Sequence, residues 1–191
     1  MATFVTFVRR IIEKKKMENS WKKIVFLDID SVVNSENWYN KTKGRSGDFD
    51  PEAIALLNQL KDIGAEVVIS SSWGESGIKP LQDVGLELPI IGCTEHFYTD
   101  WMCRGNEIEK WLVESFGGMA TKYGWDESTG RPYYQKYNHM DGDYEFVIFD
   151  DDCDFLLGQK DNFIQTSRET GITQKDIDKA IAILERKTSG E

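Results

Sequence analysis

Three times in this chain a short, unbroken apolar run stops abruptly at a cluster of small polar or acidic side chains. Ile24-Val25-Phe26-Leu27 runs into Asp28-Ile29-Asp30, Val67-Val68-Ile69 into Ser70-Ser71-Ser72, and Phe146-Val147-Ile148-Phe149 into Asp150-Asp151-Asp152. Runs of that length, with no polar alternation, suit strands buried on both faces of a parallel sheet. Such a sheet needs helices over both faces, and the segments between the runs supply them. Pro51 sits at a first helical position with Asp50 as N-cap, Ile54, Leu56, Leu57 and Leu60 form one apolar face, and Gly64 ends the helix. A short helix is expected around Leu81, a third strand at Pro89-Ile90-Ile91, and a helix after Gly105 that carries Ile108, Trp111 and Leu112 and ends at Gly117-Gly118. Phe163-Ile164-Gln165 reads as a short fifth strand. Thr173, with Asp176 three residues on, is a capping-box variant opening a last helix through Ile177, Ala180, Ile181 and Leu184. Strands alternating with helices imply an α/β fold with a mostly parallel sheet.

The remaining segments decorate that framework. Residues 31–49 read as a polar and aromatic loop, and residues 119–143 as an inserted β-hairpin around a Ser128-Thr129-Gly130 turn. Both are candidate covers for a pocket. Trp38, Tyr39, Trp125 and Tyr134 either stack on a base or ring of a substrate or hold these insertions against the body. Residues 1–20 form a basic, amphipathic N-terminal extension, expected to be an accessory helix or a start-site extension before Met17, and residues 21–191 a single domain. With 33 acidic against 23 basic residues, the formal charge of −10 argues against an extended nucleic-acid groove. No apolar run approaches the roughly 20 residues that would span a bilayer. The cysteines Cys93, Cys103 and Cys153 lack metal-site spacing and read as reduced thiols of a cytoplasmic protein, with no zinc site expected.

Open parallel sheets bind ligands beyond the carboxyl ends of their strands. The acids of this sequence gather there. Asp28 and Asp30, two apart, can face one pocket if the chain stays extended, and Asp150, Asp151, Asp152 and Asp154 follow another strand. Several carboxylates in one compact site repel each other unless a hard cation lies between them, and oxygen-only ligands suit Mg²⁺. Helix capping after strands is the alternative use of such acids. It accounts for one cluster more comfortably than for two.

Set in order, the motifs are Phe26-Leu27-Asp28-Ile29-Asp30 with Val32-Val33-Asn34, Val68-Ile69-Ser70-Ser71-Ser72-Trp73, Arg104-Gly105-Asn106-Glu107-Ile108 with Trp111-Leu112, Val147-Ile148-Phe149-Asp150-Asp151-Asp152, and Gly171-Ile172-Thr173. The series resembles the haloacid dehalogenase-like (HAD) phosphohydrolase superfamily. Within it, the chain is similar to the phosphatase domains of multi-domain RNA-repair proteins. The resemblance implies a Rossmann-like three-layer fold with strand order 5-4-1-2-3. It implies Asp28 as a nucleophile that forms an aspartyl-phosphate, and Asp30 as the acid and base for leaving group and water. It also implies Mg²⁺ held by the Asp28 carboxylate, the Asp30 backbone carbonyl and an acid of the later cluster, Asp151 foremost with Asp150 and Asp154 as alternatives. Ser70 would hydrogen-bond a phosphate oxygen. Ser71, Trp73 and Asn34 are candidate substrate contacts, and Arg104 is the first choice for the charge-neutralising residue, ahead of Lys122 and Lys136. Two positions depart from the pattern: Ser31 stands where a glycine usually follows the second aspartate, and Gly74 where a basic residue is common.

The expected activity is Mg²⁺-dependent hydrolysis of a phosphomonoester. Its substrate is a small phosphorylated molecule, such as a nucleotide, or a nucleic-acid terminal phosphate. The competing expectations are a non-catalytic binding module for a phosphorylated ligand and a phosphotransferase that passes the phosphoryl group to an acceptor other than water.

Overall fold

The first strand, β1 (Lys22–Leu27), is the middle of the molecule. The computed structural model describes residues 22–43, 49–96, 103–116, 121–126, 131–136 and 144–186. After β1 come α1 (Glu36–Thr42), α2 (Pro51–Asn58), β2 (Ala65–Ile69), α3 (Ile78–Asp83), β3 (Ile90–Cys93) and α4 (Arg104–Phe116). They are followed by β4 (Thr121–Asp126), β5 (Arg131–Lys136), β6 (Tyr144–Asp150), β7 (Phe163–Gln165) and α5 (Gln174–Leu184). Five strands form one sheet in the order β3-β2-β1-β6-β7, and every neighbouring pair is parallel. Counting these five strands in chain order, this is the expected 5-4-1-2-3 arrangement. The strands β4 and β5 pair antiparallel with each other, from Thr121 opposite Lys136 to Asp126 opposite Arg131. That is the expected inserted hairpin; its Ser128-Thr129-Gly130 turn, the Gly117-Gly118 helix end and residues 1–20 lie outside the described residues.

Strand alternation decides which helix covers which face. Ile24, Phe26, Val68 and Ile148 point to one side, where Ile108 and Leu112 of α4 pack on them. Val25, Leu27, Val67, Ile69, Val147 and Phe149 point to the other, against Ala53, Ile54 and Leu57 of α2 and Ile177, Ala180 and Ile183 of α5. Phe26 has no solvent exposure and meets Trp111 and Phe146 edge-to-face, with ring centroids 5.5 and 5.9 Å away. Truncating such a ring to alanine costs about 3–5 kcal/mol. The α2 and α5 starts form as expected: Asp50 accepts from the Glu52 N–H, and Thr173 and Asp176 close their capping box.

Residues 36–42 correct the expectation of a loop. The helix α1 buries none of its residues, so no apolar period marks it in the sequence. It is built from its ends instead. The Ser35 hydroxyl accepts from the Trp38 N–H, and the N–H groups of Glu36 and Asn37 donate to the carbonyls of Arg168 and Glu169 at 2.9 and 3.0 Å. Those first-turn donors have no partner within a helix. Here they find one more than 130 residues further along the chain.

Candidate active site

Parallel pairing carries β1, β2 and β6 to a common edge, and the backbone continues the ladder one step beyond it. Asp28 N–H donates to the Phe149 carbonyl at 2.9 Å, and Ser70 N–H to the Leu27 carbonyl at 2.8 Å. Asp28 and Asp150 therefore end adjacent central strands. Beyond this edge lies a cavity of about 260 Å³ lined by Asp28, Asp30, Ser72, His96, Arg104, Glu107, Asp150, Asp151, Asp152 and Asp154.

Asp28, Asp150 and Asp151 each offer a carboxylate oxygen within 4.8 Å of the others. Asp28 and Asp150 are buried. Burial raises the Asp28 carboxyl to about 6, against the opposing effects of a hydrogen bond from Ser71 and the charge of Arg104. Burial, then the neighbouring charge of Asp28, raises Asp150 to about 7. Two buried acids that resist ionisation beside each other fit a site built for a cation, and their oxygen-only donor set fits a hard one. The three carboxylates can therefore hold a metal ion.

Asp30 lies at the solvent-facing side of the cavity and outside this trio. Its Oδ1 accepts from Asn34 Nδ2 at 2.7 Å and its Oδ2 from Trp73 Nε1 at 2.9 Å. Asn34 is held in turn by the Ser31 N–H on its Oδ1, at 2.8 Å. Ser31 takes the left-handed conformation, φ 60°, that glycine adopts more cheaply. The turn expected of a glycine thus survives with a serine, closed by the Asn34 side chain.

The serine run after β2 divides its tasks. Ser71 hydrogen-bonds Asp28, and Ser72 lines the cavity. Ser70 is buried, its hydroxyl has no hydrogen-bond partner among the described residues, and it is absent from the cavity wall. The Asp154 carboxylate accepts from the Arg104 backbone N–H at 3.0 Å, capping α4, although it also reaches the cavity. Asp151 is paired with Arg168, Nε to Oδ2 at 2.6 Å.

Positive charge enters from one side. Glu107 is 3% exposed, and its two carboxylate oxygens meet Arg104 NH1 and His96 Nδ1, each at 3.0 Å. The Arg104 Nε stands 3.9 Å from Asp150. Sequence reasoning singled out Arg104 but missed His96 and Glu107 as site residues. The sequence signal available was a buried-position acid three residues beyond an arginine on one helix face. The side chains of Lys122 and Lys136, on the hairpin strands, lie outside the described residues, as do those of Trp125 and Tyr134. Among the described residues no helix is long and apolar enough to cross a membrane.

The model of the family described as the HAD domain in Swiss Army Knife RNA repair proteins matches residues 24–177, from the third residue of the central strand β1 into α5. No curated protein and no solved structure matches the chain.

Proposed function

The chain belongs to the family of HAD domains found in Swiss Army Knife RNA repair proteins, and from that premise we propose that it is a Mg²⁺-dependent phosphomonoesterase working through an aspartyl-phosphate on Asp28. Family membership carries hydrolase chemistry of the phosphatase type. The observation that supports the finer reading is the placement of Asp28: buried at the end of the central strand, hydrogen-bonded by Ser71, and grouped with Asp150 and Asp151 at a cavity that Asp30 also lines.

In the first step an Asp28 carboxylate oxygen attacks phosphorus, and the bond to the leaving oxygen breaks as that oxygen takes a proton from Asp30. In the second, Asp30 takes a proton from water, the water oxygen bonds to phosphorus, and inorganic phosphate and the free Asp28 carboxylate are regenerated. Arg104 offsets charge on the transferring group, and Glu107 fixes the position of both Arg104 and His96. Mg²⁺ held by Asp28, Asp150 and Asp151, with the Asp30 carbonyl, would neutralise the clustered carboxylates and polarise the phosphoryl oxygens. Single acids in such proton transfers contribute about 10²–10⁴-fold.

Family and charge together favour a nucleotide or the terminal phosphate of a nucleic acid, held at its end because a formal charge of −10 disfavours a long grip on the phosphate backbone. The test is a phosphate-release screen over nucleotides, sugar phosphates and end-phosphorylated oligonucleotides, with Mg²⁺ and with chelator. Metal-dependent release from nucleotides or oligonucleotide ends supports the proposal. Binding without release, or transfer of the phosphoryl group to an added alcohol in preference to water, would replace it by the binding-module or phosphotransferase reading.

A further inference from the structure

We propose that Trp73 and Asn34 are positioning residues that hold the Asp30 carboxyl group for proton transfer to the leaving group, rather than contacts to the substrate. The inference rests on the phosphohydrolase reading above.

Both oxygens of Asp30 are engaged, each by a neutral N–H donor from a different part of the chain. Asn34 reaches it at 2.7 Å from across its own turn, and Trp73 at 2.9 Å from the end of β2, 43 residues away. A side chain restrained at both oxygens loses the rotational freedom an exposed aspartate otherwise keeps. Each restraint is itself anchored. The Ser31 N–H fixes the Asn34 carbonyl oxygen, and an isolated bridge pairs Asp30 with Asn34. The Trp73 ring packs edge-to-face on buried Phe49, with centroids 5.5 Å apart. The segment that carries Trp73 also supplies Ser71, which hydrogen-bonds Asp28. One tripeptide, Ser71-Ser72-Trp73, thus touches both acids of the Asp28-Ile29-Asp30 motif and fixes the proton donor relative to the nucleophile. Such geometry matters because a misplacement of about 1 Å can cost on the order of 100-fold in rate.

The step affected is the first. Asp30 gives its proton to the leaving oxygen as the P–O bond breaks, the electron pair of that bond stays on the leaving oxygen, and the new bond joins Asp28 to phosphorus. A good leaving group needs that proton little, and a poor one needs it fully. Trp73→Phe keeps a ring on Phe49 and removes the N–H; Asn34→Ala removes the other donor. The measurement is kcat/KM for 4-nitrophenyl phosphate and for an alkyl phosphate, in wild type, each variant, Asp30→Asn and the Trp73→Phe/Asp30→Asn double variant, with thermal melting to verify folding.

In each single variant the ratio of alkyl to nitrophenyl kcat/KM should fall by about tenfold, with affinity for inorganic phosphate unchanged. In the Asp30→Asn background Trp73→Phe should have no further effect on the ratio. An equal loss for both substrates, a loss that persists without Asp30, or weakened phosphate binding would overturn the inference. Asp28→Asn tests the underlying reading separately: if it leaves turnover intact, the hydrolase mechanism itself has failed.

Discussion

Gly105 and Leu156 approach so closely that a Cβ on Gly105 would stand 2.5 Å from the Leu156 backbone nitrogen. The contact locks the first turn of α4 into the segment after β6. The Gly105 N–H donates to the Asp154 carbonyl at 3.2 Å, and buried Gln159 donates to the Gly105 carbonyl at 2.9 Å while accepting from the Leu156 N–H. Arg104, one residue earlier, is thereby placed beside Asp150. Gly105→Ala should destabilise the fold by about 1–3 kcal/mol, because backbone cannot yield as a flexible side chain would. It should also lower kcat/KM by displacing Arg104. Thermal melting alongside phosphate release checks both; an unchanged melting temperature would mean that the two segments separate freely.

Glu107 should matter to catalysis although it need not touch substrate. It is buried and holds His96 and Arg104 together, one on each oxygen. Removing its charge weakens both contacts while Arg104 keeps Asp150, 3.9 Å from its Nε, at about 1–3 kcal/mol. Glu107→Gln is expected to lower kcat/KM by about tenfold or more and to reduce stability. Activity at the wild-type level would show that Arg104 is positioned without it.

The acids after β6 should separate into two classes under metal titration. Asp150→Ala and Asp151→Ala remove members of the carboxylate trio and should raise the Mg²⁺ concentration for half-maximal activity by more than about tenfold. Asp154→Ala removes an N-terminal partner of α4 and should instead cost about 1 kcal/mol of stability with the Mg²⁺ requirement nearly unchanged. A metal requirement shifted most by Asp154→Ala would place the ion elsewhere in the cluster.

The raised carboxyls give metal-free protein a characteristic pH dependence. Asp28 and Asp150 titrate near 6 and near 7 when folded, above their ordinary values, so the folded state binds protons more tightly than the unfolded one. The stability this contributes is present below about pH 4 and is lost as pH rises through about 6 and 7. In chelator, wild-type melting temperature should therefore fall more steeply between about pH 4 and about pH 7 than that of Asp150→Asn. Added Mg²⁺ should restore more stability at the upper end of that range. Parallel pH profiles for the two proteins would contradict the coupling.

How much of this was legible in the sequence depended on how local its cause is. The parallel sheet and the acids at its edge announce themselves in runs such as Phe146 to Asp152, where burial and chemistry are adjacent in the chain, whereas the strand order came from the resemblance to the family. Helix α1 could not be read, because Ser35, Arg168 and Glu169 hold it in place of an apolar face. Which serine meets Asp28 could not be read for a related reason: regular alternation stops with β2 at Ile69, so which of Ser70, Ser71 and Ser72 faces Asp28 is set by the turn. Trp73 and Asn34 were noticed as motif residues and expected to meet substrate. The Trp73 contact with Asp30 joins positions 43 residues apart, and the Asn34 contact depends on the turn closed at Ser31, so both need the fold to be seen.

The central claim, that Asp28 accepts the phosphoryl group, is tested most directly by acid-quenching the enzyme during turnover and weighing its peptides. A peptide containing Asp28 should carry the mass of one added phosphoryl group, at that residue, and the adduct should be absent from Asp28→Asn, which should turn over at least about 1,000-fold more slowly. Phosphate accumulating at the wild-type rate from Asp28→Asn, or a phosphoryl group trapped on a different residue, would contradict it.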